Sequence, residues 1–362
     1  MLRAGLIGFS GTGKTALFQL LTSVREAPRT GGKADANVGV SRVPDERLDR
    51  LTALFNPRKR VPATVEFADV AGAAAGRANA QALLDVGAFR NADALLHVVR
   101  LFRDPSVPHP AGSVDATRDV RTMEDELILA DLGVVERRLE RLERDIKKGG
   151  SADLRKEQDV LTTCRRALEE GRPLRALSLA AEDQKRLRGF QFLSAKPLLL
   201  VLNLDEADLP HAGDAVRLAG LEDFVTGAAT RAVAICAKIE LEIAQLDEGD
   251  AKAFTQDLGL RESGLDRVIR ASYDLLGYIS FFTVGEDECR AWSIPRETPA
   301  VLAAGEIHTD ISRGFIRAEV VRYEALLERG SLAACRDRGE LRLEGKDYIV
   351  LDGDVINFRH AT

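Results

Sequence analysis

The chain has 362 residues, a length that suits two or three domains. Its composition, 45% hydrophobic and 30% charged, is that of an ordinary soluble globular protein, and no apolar run approaches the eighteen residues that a membrane-spanning helix requires. The formal net charge of −6 excludes a general attraction for polyanions, so contact with RNA would need a local basic patch such as residues 58–60 or 147–148. The four cysteines lie far apart, which disfavours a zinc site and favours reduced thiols in the cytoplasm.

Apolar segments rich in branched residues predict five buried strands, over residues 4–8, 65–69, 95–101, 197–203 and 232–237. Their hydrophobicity is nearly continuous, which is typical of parallel strands covered on both faces. Helical patterns separate them, including a predicted helix over residues 44–55. The order of elements predicts βαβ units and a three-layer α/β fold with a parallel sheet.

A long charged segment over residues 115–195 interrupts this order. Its apolar residues recur at spacings of three, four and seven, and Gly149-Gly150-Ser151 divides it, which predicts an antiparallel helical hairpin. From about residue 279, short β-like runs divided by turns predict a small α+β module. We therefore expect a discontinuous nucleotide-binding domain (1–114 and 196–278), a helical insertion (115–195) and a C-terminal domain (279–362).

Residues 8–15, GFSGTGKT, match the phosphate-loop pattern G-x-x-x-x-G-K-[ST] between an apolar strand and a helix. Glycines allow backbone N–H groups to face phosphate oxygens, and the positive end of the following helix faces the same oxygens. Lys14 is expected to bridge the β- and γ-phosphates as a catalytic residue, and the Thr15 hydroxyl to bind Mg²⁺. The predicted phosphate contacts are Gly8, Ser10, Gly11, Thr12, Gly13, Lys14, Thr15 and Ala16.

A second residue for Mg²⁺ binding is predicted at Asp69, where the strand over residues 65–69 ends. A carboxylate at the end of a neighbouring strand suits a water-mediated Mg²⁺ ligand. Gly72 follows, and its backbone N–H is expected to meet the γ-phosphate. Ala73 stands where signalling GTPases have a glutamine that orients the attacking water, so hydrolysis must be slow or must use another group.

Base recognition is predicted at Asn203-Leu204-Asp205-Glu206, after the fourth strand. Compared with the guanine-specific pattern N-K-x-D, Leu204 replaces the lysine and Glu206 the aspartate. The longer side chain of Glu206 disturbs the geometry in which a carboxylate accepts two hydrogens from guanine. Asn203 and nearby backbone could bind the adenine amino group instead. The pocket is expected to close at Cys236, Ala237 and Lys238. The ligand is therefore ATP, or GTP, with Mg²⁺.

Beyond the phosphate loop, further motifs extend along the chain, at residues 37–39 (NVG), 43–45 (VPD), 62–67 (PATVEF), 126–132 (ELILADL), 203–206 (NLDE), 262–266 (ESGLD), 307–310 (IHTD), 313–319 (RGFIRAE) and 343–348 (LEGKDY). With these motifs, almost the whole sequence resembles the YchF family of Obg-related P-loop ATPases. The resemblance implies a Ras-like domain, an inserted coiled coil and a C-terminal TGS domain. It also implies slow hydrolysis, preference for ATP over GTP, and association with ribosomes or RNA.

The resemblance further implies that a histidine in a mobile loop takes part in hydrolysis, and His109 is the matching residue. Three stretches depart from the family pattern. Lys33 stands in place of the first-switch threonine, residues 73–81 replace a glycine-rich second switch, and residues 10–12 are Ser-Gly-Thr instead of Pro-Asn-Val. Binding groups are retained while switch groups are altered, which indicates a divergent member or a paralogue.

Two functions from different classes follow. The first is a slow ATPase that acts as a cytoplasmic switch on the translation machinery. The second is a nucleotide-binding adaptor with little or no hydrolysis, whose helical hairpin and TGS-like module bind ribosome, RNA or protein. The absence of the switch threonine and the presence of Ala73 favour the adaptor. The presence of Lys14, Thr15 and Asp69 favours the ATPase. A GTP-binding protein is the third alternative.

Overall fold

A computed structural model describes residues 3–22, 37–69, 89–227, 229–260 and 262–361. The strands are β1 (Arg3–Ile7), β2 (Asn37–Arg42), β3 (Lys59–Val61), β4 (Thr64–Asp69), β5 (Ala94–Arg100), β6 (Leu198–Asn203), β7 (Thr230–Ile235), β8 (Tyr278–Thr283), β9 (Glu288–Pro295), β10 (Phe315–Arg322), β11 (Arg342–Glu344) and β12 (Asp354–His360). The α-helices are α1 (Lys14–Thr22), α2 (Glu46–Phe55), α3 (Ala116–Lys147), α4 (Ala152–Glu169), α5 (Ala181–Leu187), α6 (Ala215–Leu218), α7 (Ala237–Ile243), α8 (Glu248–Asp257), α9 (Gly264–Leu275), α10 (Ala300–Ile307), α11 (Thr309–Arg313), α12 (Tyr323–Arg329) and α13 (Leu332–Asp337).

The first sheet has six strands in the order β2-β4-β1-β5-β6-β7. The pairs that β1 forms with β4 and β5, and those of β6 with β5 and β7, are all parallel. β5 and β6 are buried along their whole length, which explains their unbroken apolar sequences. The carboxyl ends of these strands meet at one edge of the sheet, and the predicted site residues follow those ends.

The helical hairpin consists of α3, with 32 residues, and α4, with 18. Asp115 caps the start of α3 by accepting a hydrogen bond from the Arg118 N–H, and Ser151 caps α4 in the same way through Leu154. Apolar residues of α3 near its start pack on the sheet, whereas Val135, Leu139 and Leu142 pack against α4. The hydrophobic stripe of α3 therefore serves two different partners.

The second sheet also has six strands, in the order β11-β10-β12-β8-β9-β3. Most of its pairs are antiparallel, but β12 with β8 and β3 with β9 are parallel. Aromatic side chains form its core, where Phe358 meets both Phe281 and Phe315. Together with the first sheet and the hairpin, this sheet confirms the predicted fold class of an α/β domain with an inserted helical hairpin and a small C-terminal α+β module.

The chain divides into two compact units, one of residues 2–40 with 66–275 and one of residues 1, 41–65 and 276–362. Residues 41–65, which the sequence assigns to the nucleotide-binding domain, are thus grouped with the C-terminal residues. The predicted limits of three domains stay a prediction. No helix in the described ranges is both long and apolar enough to cross a membrane.

Three of the predicted element bounds need correction. The helix predicted from residue 44 begins at Glu46, because Asp45 is its N-cap and accepts a hydrogen bond from the Arg47 N–H. The fifth strand ends at Ile235, and Ala237 opens a helix of good helix formers. Among the β-like runs predicted after residue 279 is one at residues 348–351, and it forms only one isolated bridge, from Ile349 to Pro299.

Candidate functional site

The phosphate loop, residues 8–15, connects the end of β1 to the first turn of α1. Gly8, Gly11 and Gly13 all have positive φ angles, of 144°, 74° and 94°. The loop is closed by the buried Thr12, whose hydroxyl donates to the Phe9 carbonyl oxygen at 3.0 Å. Ser10 and Thr15 are exposed. Local backbone conformation therefore explains Gly8 and Gly13, which the pattern requires, and also Gly11, which it does not.

Gly13 is also confined by a neighbouring side chain. A Cβ atom at this position would lie 2.4 Å from Nδ2 of Asn203. At Gly8, a Cβ atom would lie 2.6 Å from the carbonyl oxygen of Val98 in β5. The loop thus lies directly on the ends of its neighbouring strands, without room for a side chain at these two positions.

Lys14 and Asp69 are the charged groups beside the loop. The ammonium group of Lys14 donates hydrogen bonds to the carbonyl oxygens of Gly8, at 2.7 Å, and Phe9. Burial lowers the pKa of Lys14, and the charge of Asp69 acts in the opposite direction. Burial likewise raises the pKa of Asp69, against the effect of Lys14. The two charges compensate each other in a partly desolvated place.

The residues at the loop fit a magnesium ion that takes most of its ligands from phosphate groups and water. Asp69 stands opposite Leu6 in the register of β4 with β1, next to the loop, and Thr15 offers a hydroxyl oxygen in the first turn of α1. Over the described residues, no group of three or more His, Cys, Asp or Glu side chains could hold a metal. One carboxylate and one hydroxyl are the small protein share that Mg²⁺ takes beside phosphates and water.

A cavity of about 420 Å³ opens beside the phosphate loop. All the residues predicted for base recognition line it, together with Gly13 of the phosphate loop and Ala16 of α1: Asn203, Leu204, Asp205, Glu206, Cys236, Ala237 and Lys238. Sequence analysis missed four of its lining residues, which are Phe102, Arg103, Asp104 and Leu241. The segment 102–104 directly follows β5. Its position at the carboxyl edge of the sheet could have identified it as part of the cavity from the sequence.

Asn203 joins three segments of the site. Its Nδ2 donates to the Thr12 carbonyl oxygen, and its Oδ1 accepts from the Ala237 N–H, both at 3.0 Å. One Nδ2 hydrogen remains for a ligand. The buried Leu204 belongs to the core, and the exposed Glu206 lies 3.8 Å from the Lys238 ammonium group. Asn203 therefore holds the pocket together in addition to any contact that it makes with a base.

The loop that carries His109 is anchored by Arg100, the last residue of β5. The buried guanidinium group of Arg100 donates to the carbonyl oxygens of Phe102, Asp104 and Val107, at 3.1, 3.1 and 2.8 Å. It also lies over the Phe102 ring, 4.4 Å from the ring centre. Because three nitrogens of one guanidinium group donate to three carbonyl oxygens of the loop, Arg100 fixes the conformation of residues 102–107.

His109 lies next to the phosphate loop, with its ring centre 6.2 Å from that of Phe9. Its side chain is buried, and Nδ1 accepts a hydrogen bond from the Ala111 N–H at 3.1 Å. Its Nε2 lies 2.9 Å from Oδ2 of Asp119, in the first turns of α3. Sequence analysis did not single out Asp119. The predicted residue Gly72 and the altered switch residues Lys33 and 73–81 lie outside the described residues.

A buried histidine near Lys14 makes a testable prediction about stability. Burial, aided by the Lys14 charge, lowers the pKa of His97 from 6.5 to about 3. Between these values the unfolded chain binds a proton that the folded chain does not, so the free energy of unfolding falls as the pH falls. From pH 7 to pH 5, His97 should account for a loss of about 2 kcal/mol. Urea unfolding of His97→Leu should lack this part of the pH dependence.

The matched control is His211→Leu, which changes an exposed histidine. It should keep the pH dependence of the unaltered chain. An equal dependence in His97→Leu and the unaltered chain would contradict the burial of a neutral imidazole.

A parallel sheet, a strand–loop–helix phosphate loop with Lys14, and a cavity beside it define the P-loop NTPase class of fold. Residues 278–361 match the family model YchF-GTPase_C, described as a protein of unknown function (DUF933). The chain is 40% identical to the "Ribosome-binding ATPase YchF" of Bacillus subtilis strain 168, over 99% of both chains. It is 38% identical to the protein of the same name from Escherichia coli O157:H7, over 98% of both chains.

Among solved structures, the Schizosaccharomyces pombe YchF GTPase is similar, with a TM-score of 0.84 and 28% sequence identity. The similarity covers 99% of this chain and 97% of the yeast chain. This protein therefore belongs to the YchF family of Obg-like P-loop proteins, as the sequence motifs predict.

Proposed function

We propose that this protein is a cytoplasmic, Mg²⁺-dependent nucleoside triphosphatase of low turnover that prefers ATP to GTP and acts on the ribosome. The observation that carries the proposal is a glycine-rich phosphate loop that holds Lys14 by its Gly8 carbonyl oxygen and opens to a cavity of about 420 Å³. The two full-length relatives named ribosome-binding ATPases support the activity and the partner.

Hydrolysis forms a bond from a water oxygen to the γ-phosphorus and breaks the bond from that phosphorus to the oxygen shared with the β-phosphate. The Lys14 ammonium group and the loop N–H groups would stabilise the charge that develops on the phosphate oxygens. Thr15 and Asp69 would hold Mg²⁺, which supplies further neutralisation when bound. His109, which lies beside Phe9 of the loop, would orient the attacking water, whose proton would pass to an oxygen of the transferred phosphate.

Single-turnover hydrolysis of ATP tests the proposal, with Lys14→Ala as the control. Loss of a preorganised charge at the transferred phosphate costs about a hundredfold or more in rate. We expect the unaltered chain to exceed the Lys14→Ala variant by at least that factor. Indistinguishable rates would eliminate hydrolysis as the function.

Preference for ATP is supported by the cavity side chains. The guanine-specific pattern has an aspartate in the place of Glu206, and the longer side chain of Glu206 lies exposed at the cavity, 3.8 Å from Lys238. We expect ATP to compete about tenfold better than GTP for a labelled analogue, a difference of about 1.4 kcal/mol. A tenfold advantage of GTP would contradict this part of the proposal.

Contact with the ribosome is proposed for the helical hairpin and the TGS-like C-terminal module. Residues 58–60 are each ion-paired, with Arg60 only 2.6 Å from Asp49 and Lys59 3.5 Å from Glu288. Lys147 and Lys148 are exposed at the turn of the hairpin, and among the described residues neither forms an ion pair. The hairpin turn is therefore the better of the two basic patches for an RNA contact.

A nucleotide-binding adaptor with little hydrolysis is the second candidate function. One observation favours it: the side chain of His109 is buried, its Nδ1 accepts from the Ala111 N–H, and its Nε2 faces Asp119 at 2.9 Å. The replacements Lys33 and Ala73 point the same way. The hydrolysis experiment with Lys14→Ala separates the two candidates.

A further inference from the structure

The short helix α7 forms one wall of the cavity beside the phosphate loop. Three of its residues, Ala237, Lys238 and Leu241, line the cavity, and the Ala237 N–H donates to Oδ1 of Asn203 at 3.0 Å. The helix has only seven residues, and a helix of this length is not stable by itself. The position of this wall must therefore be set by contacts with the rest of the protein.

Glu240 makes such a contact from the same turn of α7. It is not one of the residues that line the cavity, and it is only 4% exposed. Its Oε1 accepts a hydrogen bond from the N–H of Gly264, the first residue of α9, at 2.6 Å. The first N–H groups of a helix have no partner within that helix, and a carboxylate is favoured at its positive end. Glu240 therefore satisfies the start of α9 from a different helix.

The charge of this carboxylate is opposed by burial and supported by its neighbours. Burial raises the pKa of Glu240, whereas the N–H groups of Gly264 and Leu265 and the charge of Arg267 act in the opposite direction. A buried carboxylate with such partners stays in place because leaving them would remove its only compensation.

Gly264 is confined by the same contact. A Cβ atom at this position would lie 2.8 Å from Oε1 of Glu240 and 3.0 Å from Cγ1 of Ile235, the last residue of β7. The helix that begins here packs on β6 and β7. Close approach thus accounts for the glycine in the motif at residues 262–266, which the cavity itself does not use. The start of α9 is a fixed point to which α7 can be tied.

We propose that Glu240 is a positioning residue for recognition of the base. It ties α7 to the start of α9 and so holds the wall formed by Ala237, Lys238 and Leu241 against the bound nucleotide. The proposal rests on the proposed function, because that function assigns the cavity to the base of ATP. Glu240 acts through the helix and touches neither the base nor the phosphates.

Calorimetric titration of the full chain with Mg²⁺–ATP and with Mg²⁺–tripolyphosphate tests the proposal. Tripolyphosphate carries three phosphates without a base, so a change confined to α7 should not affect its binding. We expect Glu240→Ala to weaken ATP binding by about tenfold, as for loss of a hydrogen bond to a charged group. The affinity for tripolyphosphate should stay within about twofold. Equal losses for the two ligands, or no loss for ATP, would overturn the proposal.

The conservative variant Glu240→Gln should restore most of the affinity. Its amide keeps an acceptor oxygen for the Gly264 N–H, so ATP should bind within about threefold of the unaltered chain. A glutamine variant as weak as Glu240→Ala would contradict a role through this hydrogen bond.

Gly264→Ala disturbs the same contact from the other helix. The added methyl group displaces the carboxylate, so ATP binding should again weaken by about tenfold while binding of tripolyphosphate is kept. In the double variant Glu240→Ala with Gly264→Ala the methyl group no longer meets a carboxylate, and the two effects should not add. A double variant about a hundredfold weaker than the unaltered chain would show two independent effects and would contradict the proposal.

Two matched controls lie close by in the sequence. Glu242→Ala removes an exposed carboxylate from the same helix. Gly213→Ala adds a methyl group at a glycine where no atom lies within 4 Å of the new Cβ. Both variants should bind ATP within about twofold of the unaltered chain. If Glu242→Ala lost as much affinity as Glu240→Ala, the effect would belong to the helix in general and not to the contact with Gly264.

These affinities also separate the positioning role from the proposed function. If the unaltered chain gives no heat with Mg²⁺–ATP, both proposals fail. If it binds ATP but hydrolyses it no faster than Lys14→Ala, only hydrolysis fails, and Glu240 is still judged by the titrations. If it binds and hydrolyses ATP while Glu240→Ala binds equally well, only the positioning role fails.

Discussion

Gly13→Ala is expected to lower the affinity for Mg²⁺–ATP by at least a hundredfold, about 3 kcal/mol. The φ angle of Gly13 is 94°, and the added Cβ atom would lie 2.4 Å from Nδ2 of Asn203. Asn203 cannot move away without breaking its hydrogen bonds to Thr12 and Ala237. The methyl group therefore distorts the phosphate loop and the base pocket together. Calorimetric titration with Mg²⁺–ATP measures the effect.

Gly171→Ala is the matched control for this substitution. Gly171 also has a positive φ angle, of 71°, but no atom lies within 4 Å of the added Cβ. It follows α4 in the hairpin and should cost only the strained backbone, about 1 kcal/mol of stability, with unchanged affinity. Similar affinities of Gly13→Ala and the unaltered chain would contradict the close packing of the loop on Asn203.

Arg100→Met is expected to lower the free energy of unfolding by about 3 kcal/mol, since it removes hydrogen bonds donated by a charged group. Methionine fills part of the volume but leaves the carbonyl oxygens of Phe102, Asp104 and Val107 without their shared donor. Because the loop then loses its anchor, its amide groups should also exchange faster with water. Urea unfolding and hydrogen exchange of residues 102–112 measure the two effects.

Arg103→Met serves as the control for the loss of a guanidinium group in the same loop. The side chain of Arg103 is exposed, and only its backbone N–H bonds to Asp205, at 2.9 Å, which the substitution preserves. Its effect on stability should stay within about 0.5 kcal/mol. If Arg100→Met were as mild as Arg103→Met, the anchoring role of Arg100 would be wrong.

The sequence predicted the parts of the site that are contiguous in the chain. Residues 8–15 carry the strand end, the glycines and the lysine in one stretch, and residues 203–206 follow a strand whose apolar run is unmistakable. Backbone conformation and strand ends are local properties, so a local pattern suffices to find them.

Contacts between distant residues could not be predicted in this way. In the sequence, Arg100 is only the charged last residue of an apolar run. Its role as an anchor depends on a loop that folds back over it. Asp119 reads as an ordinary polar residue of a charged helix, and only the fold brings it to His109. The short strand Lys59–Val61 has no alternating pattern, because it lies at a sheet edge where only backbone hydrogen bonds define it.

That edge strand has a consequence for the order of events during synthesis. Lys59, Arg60 and Val61 pair with Glu288, Cys289 and Arg290, which leave the ribosome more than two hundred residues later. Leu51 of the same early segment contacts Cys289 through its carbonyl oxygen. The C-terminal sheet is therefore completed by a piece of chain made near the beginning. In a C-terminal fragment that begins at residue 278, the second sheet would lack β3, and the edge of β9 would be exposed.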